Sequence, residues 1–404
     1  MRVSVPLLVK ILLFAVVFIT PTIFRTRDYG SDSIDFQVLI KLALWAGAFG
    51  FSAIFIQKWG RQLFQYDNLP LTCIFALMAI SCVYAPSFVY SAGAVLSVIS
   101  VVTLFYFAQR VLDDETILWT VFGAFTTVSA LSIIVYFVNP SFGRMEVWVN
   151  GSLVPGNRLS GITATANAIG YLSALALMLS FILGYFYKTA KTKPLYVFAF
   201  INFIALMMSN SRTSMGALVV ALAVVFFARF TSLRLSILFT AIALLAFGTL
   251  AIDIEWLLSQ ISRSGNADEI LTGTGRAYIW PVVMDLISQR PFTGWGYGSS
   301  SFILPNFSAE IGHVPPHAHN ALLQLWLTVG FFAVLAYIVL FLAKVFYSFK
   351  VQDHAKLMML AFLFATSFTE SSVWLGVAQN PAILLALIVC LPYRNSMELR
   401  TKNP

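Results

Sequence analysis

Three of the four histidines of this 404-residue chain fall within seven residues, in His313-Val-Pro-Pro-His317-Ala-His319-Asn320. Imidazoles titrate near neutral pH, so such a cluster suits proton transfer or metal ligation. Zinc sites repeat their ligands at characteristic spacings, often with cysteine, and this run matches none of them even with Glu310 as a fourth donor. No metal is therefore expected. His313 and His317 read as loop-packing residues, with His317 supporting its neighbour. His319 differs, because Asn320 and the apolar run after it make it the last polar position before a helix. A neutral ring there can accept the proton of an incoming hydroxyl.

Upstream lies Gly294-Trp-Gly296-Tyr-Gly298-Ser-Ser. It lacks the spacing and the lysine of a nucleotide-phosphate loop and reads as a tight turn after Pro291. Trp295 and Tyr297, together with Trp280, carry amphipathic rings able to stack on a sugar. Nothing in the chain resembles a Ser-His-Asp nucleophile elbow, a pair of glycosidase carboxylates or an Asp-rich metal motif.

The elements that hold these residues follow from composition. Of the chain, 59% is apolar and 10% charged, with mean hydropathy +0.84, against about 25% charged in soluble domains. The expected class is an all-α polytopic membrane protein. Apolar windows at 5–24, 36–57, 69–87, 89–109, 116–138, 164–186, 194–209, 213–229, 235–252, 321–343, 355–371 and 374–392 suggest about twelve transmembrane helices. The first window is expected to be a retained span rather than a cleaved leader, since it is long and lacks a small-residue cleavage site. The organisation expected is a membrane domain over 1–252 with about nine helices, a large outer loop over 253–319, and C-terminal helices over 320–404. Within the loop, helices are expected at Ile254 to Ser262 and at Arg276 to Ser288, the latter kinked at Pro281. Cys73, Cys82 and Cys390 lie in apolar runs and read as packing residues.

The net charge of +8 needs no nucleic acid, because cytoplasmic loops of membrane proteins collect Lys and Arg. With both termini inside, nine of the ten lysines fall on inner loops, and the outer cations, Lys41 apart, are Arg25, Arg27, Arg144, Arg158, Arg212, Arg263, Arg276 and Arg290. Insertion bias does not prefer arginine outside. Arginine's planar fork suits phosphate, although pairing with outer carboxylates explains Arg263 and Arg290 equally well and Arg158, Arg212 and Arg276 less well. No acid occurs between Glu146 and Asp253, so Arg158 and Arg212 need a distant partner or an anionic ligand.

Taken together, Gly275-Arg276-Ala-Tyr-Ile-Trp280, Arg290-Pro-Phe-Thr-Gly294-Trp-Gly296-Tyr-Gly298, His319-Asn320 with Gly330 further on, Asn210-Ser211-Arg212, and Arg158-Leu-Ser-Gly161 upstream of Asn167 resemble the O-antigen ligase and polysaccharide polymerase superfamily of bacterial inner membranes. Ala333 stands where ligases usually carry a second glycine. The resemblance implies an inverting glycosyltransferase working at the periplasmic face without metal, ATP or other cofactor, its donor a glycan on undecaprenyl pyrophosphate. It implies Arg212, Arg276 and Arg158 as pyrophosphate partners and His319 as the catalytic group that deprotonates the acceptor.

The reading that follows is a polymerase of exopolysaccharide or O-antigen repeat units, with membrane lipid around it and a possible chain-length regulator as partner. Its sibling is a ligase that passes glycan to lipid A core. A transporter of lipid-linked glycan or of a small anion is the alternative of another class. Few ionisable residues lie at mid-membrane depth, whereas transport paths often place them there.

Overall fold

The computed structural model describes residues 4–26, 31, 33–149, 152–230, 276–311, 314–368, 370, 374 and 376–395. Its helices are α1 (Val5–Ile19), α2 (Phe36–Ile54), α3 (Leu69–Ser81), α4 (Phe88–Val111), α5 (Asp114–Val138), α6 (Ala166–Phe181, extended by a wide turn over Ile182–Phe186), α7 (Thr192–Ser209) and α8 (Arg212–Phe230). After the undescribed stretch come α9 (Arg276–Gln289), α10 (Ala321–Val329), α11 (Phe331–Lys350), α12 (His354–Ser367) and α13 (Asn380–Cys390). Side-chain caps start many of them where the sequence offers an oxygen: Asp35, Ser87, Asp113, Thr165, Asn320 and Asp353 each accept a backbone N–H of the first turn.

Every apolar window outside 235–252 carries a helix, and window 235–252 lies outside the described residues. The described residues alone do not supply twelve spans by length and apolar composition. Among the described residues six helices, α2, α4, α5, α6, α7 and α11, are long and apolar enough to cross a bilayer. A seventh arises if Ile56–Phe64 and Leu69–Tyr84, bent by 99°, form one span. Helices α1, α8, α12 and α13 are apolar but shorter. Helix α13 has 11 residues, all buried, or about 16 Å of rise. It is an inner element, and apolar sequence alone does not distinguish one from a span.

The outward faces are apolar and the polar side chains turn inward, as expected of a chain solvated by lipid. Phe200, Val219, Phe332 and Phe346 are more than half exposed. Inside, Ser129 donates to Asn202 Oδ1 (2.8 Å) and Asn202 donates to Thr126 Oγ1 (2.8 Å), while Ser173 Oγ lies 3.3 Å from Ser129 Oγ. This buried cluster ties α5, α6 and α7 together. Helices α4 and α6 are the central ones, with 61% and 72% of their apolar windows buried against 22% for α2.

Between the windows 116–138 and 164–186, β1 (Arg144–Val149) and β2 (Ser152–Leu159) pair as an antiparallel hairpin. The window 321–343 is not one span, because Gly330 breaks it into α10 and α11 with φ 96° and ψ 179°, a conformation essentially confined to glycine. A Cβ there would lie 2.1 Å from Phe292 O. Helix α9 runs through Pro281, while the helix expected at 254–262 lies outside the described residues.

Gly330→Ala is expected to lower the unfolding free energy by about 3 kcal/mol or more, combining backbone strain with a clash against backbone. Thermal unfolding in detergent checks this; a melting temperature equal to wild type contradicts the assignment of the break to glycine.

Candidate functional site

His319 occupies the left-handed region at φ 52°, one residue before the Asn320 cap, whose side chain accepts from Leu322 and Leu323 N–H (3.0 and 3.1 Å). Buried Ala318 is pinned from two sides. Its N–H donates to Gln324 Oε1 (3.0 Å), and its carbonyl accepts from Trp280 Nε1 (3.1 Å). Gln324 in turn donates to Ser300 Oγ (2.7 Å). Helices α9 and α10 thereby hold the histidine loop, with the His317 ring tilted 53° to that of His319 at a centroid distance of 4.0 Å and its Nδ1 accepting from His319 N–H (3.3 Å).

Opposite His319 stands Glu370, just beyond the end of α12. Its Oε2 lies 3.7 Å from His319 Nδ1, and its Oε1 accepts from Asn167 Nδ2 (3.1 Å). Asn167 Oδ1 accepts from Arg158 Nη2 (2.9 Å). Arg158, on β2, also donates through Nε to Ser209 O (3.0 Å) and through Nη2 to Asn210 O (3.5 Å), the carbonyl end of α7. A cation is favoured at a helix C-terminus by the dipole and the unpaired carbonyls. The outcome is a chain of contacts, Arg158 to Asn167 to Glu370 to His319, that joins the hairpin, α6, α7, the end of α12 and the histidine loop.

The turn between α7 and α8 sits in this assembly. Asn210 is left-handed at φ 47° and caps α7, Ser211 is buried, and Arg212 opens α8 half-buried. The turn is seated on α6 so closely that a Cβ at Gly170 would meet Ser211 Cβ at 2.4 Å. Gly161, at φ 60°, lets the end of β2 approach Ser132, whose hydroxyl accepts from Ile162 N–H (3.1 Å). Arg276 opens α9 about one turn before Trp280, and its side chain lies outside the described set, as do His313 and Arg263.

The glycine-rich run is a turn with a packing function. Gly294, Gly296 and Gly298 all have positive φ, and the N–H groups of Trp295 and Gly296 donate to Leu327 O (2.9 Å) and Thr328 O (2.8 Å). It therefore satisfies carbonyls that the end of α10 leaves open. The expectation that Tyr297 contacts glycan needs correction. Its ring has no exposed surface and its hydroxyl donates to Gly376 O (2.8 Å), so nothing is left for a sugar to stack on. Trp295 is partly buried, donates to Leu286 O (2.8 Å) and has the Arg290 guanidinium 4.1 Å over its ring. Trp280, 37% exposed, is the aromatic beside the histidines.

Glu370 was missed by sequence reasoning, although a signal existed. It is the only acid between Asp353 and Glu398, at the edge of an apolar window, where an ionisable group is a functional candidate by default. Arg158 directs its donors to Asn167 and to the carbonyls of Ser209 and Asn210, with Glu370 one hydrogen bond beyond Asn167. Glu310, by contrast, is exposed on Ser308–Ile311, and the acid that joins the histidines is Glu370. His317, His319 and Glu370 each offer a donor atom within 4.8 Å of the others. Beside them, Asn320, Tyr337, Phe341, Phe364, Ser367 and Phe368 line an apolar groove of about 200 Å³ between α11 and α12.

Arg158→Lys replaces a fork by a single ammonium that cannot hold Asn167 and the α7 carbonyls together. A loss of about 2 kcal/mol is expected, the size of a charge-assisted hydrogen bond. Thermal unfolding of the purified variant reads it, and an unshifted melting curve contradicts the clamp.

Residues 197–338 match the family model described as O-Antigen ligase. The match runs from within α7 to the first part of α11 and includes Asn210, Arg212, Arg276, the glycine run and His319; Arg158, Asn167 and Glu370 lie outside it. No curated protein matches the chain.

Proposed function

We propose that this chain, whose residues 197–338 match the family model described as O-Antigen ligase, transfers a glycan from a polyprenyl pyrophosphate carrier to a sugar hydroxyl. The observation that carries the proposal is the pairing of His319 with Glu370. The carboxylate faces Nδ1, which favours the tautomer with hydrogen on Nδ1 and leaves the Nε2 lone pair for the acceptor, the base-and-orienter logic of catalytic histidines. A 3.7 Å contact is open by hydrogen-bond standards and contracts when substrate excludes water.

In the step proposed, His319 Nε2 takes the acceptor hydroxyl proton, the acceptor oxygen bonds to the anomeric carbon from the face opposite the leaving group, and the carbon–oxygen bond to the pyrophosphate breaks with its electron pair on the phosphate. Arg212 and Arg276 stabilise the charge that develops there, each contributing on the order of 100- to 1,000-fold in rate. Arg158 supports this from behind, since its donors hold Asn167 and the turn that carries Arg212. The apolar groove reaching Asn320 suits the isoprenoid tail, and Trp280 is the ring nearest the acceptor sugar.

The outer, periplasmic-type face of an inner membrane is the setting we propose. The leading role is repeat-unit polymerisation, favoured by Ala333 and the Gly-Arg-x-x-Ile-Trp run. Ligation to lipid A core is favoured by the O-Antigen ligase family that residues 197–338 match and differs only in acceptor. Surface glycan from a deletion strain separates the roles: single capped repeat units mark a lost polymerase, and long chains left on the carrier mark a lost ligase. In a reconstituted assay with pyrophosphate-linked oligosaccharide, His319→Ala is expected to slow release of the carrier pyrophosphate by about 100- to 10,000-fold, and Glu370→Gln to slow it less. Wild-type release by His319→Ala would falsify the mechanism.

A further inference from the structure

His317, His319 and Glu370 come from two separate parts of the chain, yet their donor atoms all lie within 4.8 Å of one another. One pair, His319 Nδ1 and Glu370 Oε2, is already at 3.7 Å. Nitrogen and oxygen ligands at about 2.0–2.1 Å from a tetrahedral zinc are themselves about 3.4 Å apart. Closing the trio around an ion therefore takes about an ångström of side-chain motion.

The surroundings favour that closure. His319 Nδ1 is buried and has no hydrogen-bond partner among the described residues, so a lone pair directed at Glu370 would have no competing donor. The other oxygen of Glu370 is held by Asn167, which fixes how the carboxylate presents Oε2, and hydrogen bonds from outer partners of this kind orient metal ligands. The loop bearing both histidines is clamped at Ala318 by Trp280 and Gln324. Two imidazoles and one carboxylate with a coordination position left over form a donor set used by zinc, and imidazole selects zinc-class ions over magnesium or calcium.

We propose that His317, His319 and Glu370 form a binding site for a zinc-class divalent ion, and that occupation of the site inhibits transfer. The inhibitory half rests on the function proposed above; the binding half does not. An ion on Nδ1 requires that nitrogen to be free of hydrogen, so the ring proton moves to Nε2. The lone pair that would take the acceptor's proton is then gone, and Glu370 is drawn from its orienting role into coordination.

The full-length chain, purified in detergent without a polyhistidine tag and stripped with chelator, tests both halves. Co²⁺ titration followed by visible absorption is expected to show one equivalent bound with the spectrum of a four- or five-coordinate ion. Zn²⁺ should compete with it. His317→Ala and Glu370→Gln should each weaken binding at least about 10-fold, as should Asn167→Ala through orientation of the carboxylate, with tryptophan fluorescence melting used to confirm that each variant is folded. Equal Co²⁺ affinity in wild type and folded His317→Ala overturns the site, as does an absence of binding up to millimolar Co²⁺. In the transfer assay, half-inhibition of His317→Ala, scaled to its own metal-free rate, should need at least about 10-fold more Zn²⁺ than wild type. Stimulation of wild type by Zn²⁺ overturns the inhibitory half. If wild type makes no transfer at all, the proposed function fails while the metal titration still reads the site.

Discussion

A carboxylate at the end of an apolar helix must be solvated or paired, because an isolated buried charge is far too costly in a low-dielectric surrounding. Glu370 is that carboxylate, and much of the site can be understood as the set of groups that accommodate it. Asn167 donates to one oxygen and, through its own carbonyl, takes a hydrogen bond from Arg158, so the amide is a relay between the guanidinium and the carboxylate. The remaining oxygen faces His319.

The backbone is shaped to make that relay possible. Left-handed residues stand at each junction: Asn210 ends α7, Gly161 ends the hairpin, and His319 precedes α10. The first two bring their segments against α6 and α5, at Gly170 and Ser132, and the third turns the imidazole away from the helix it precedes. A non-glycine residue held at positive φ is uncommon, and a clamped loop, pinned here at Ala318, is the kind of surrounding that maintains it.

The sequence made the helices legible because lipid demands long apolar runs, and it made their starts legible because Asp35, Asp113, Thr165 and Asn320 are good caps. It did not distinguish a span from an inner helix such as α13, since both are apolar throughout, nor reveal the hairpin at 144–159, whose register depends on pairing rather than on local pattern. His319 and Arg158 stood out by residue type and position. Glu370 escaped because its partners are 51 and 203 residues away, a separation that no local spacing encodes. Tyr297 misled for the opposite reason: an aromatic flanked by glycines suits a ligand platform and a buried turn equally, and burial decided.

The two ends of α12 complete the argument about sidedness. Fourteen residues give a rise of about 21 Å, with Glu370 and the arginine-histidine assembly beyond one end. At the other end Lys344 donates to Asp67 (2.8 Å) and Asn68 (2.6 Å), Lys356 donates to Leu391 O (2.6 Å), and Arg394 meets Asp114 at 2.8 Å. Glu115 accepts from Thr189 there as well, with Lys191 over the Trp119 ring. Lysines at positions 191, 344 and 356, which charge bias assigned to one side, therefore share one end of the bundle, while Arg158 and Arg212 share the other. Each end uses its cations differently. The lysine end spends most of them on neighbouring carboxylates, backbone and rings, as a structural seal would. At the arginine end Arg25 meets Asp35 at 3.4 Å, and Glu370 faces an imidazole. One face of the bundle thus closes on its own carboxylates, carbonyls and rings, while the other gathers Arg158, Asn167, Glu370 and His319 into one connected set, the set on which the proposed chemistry rests.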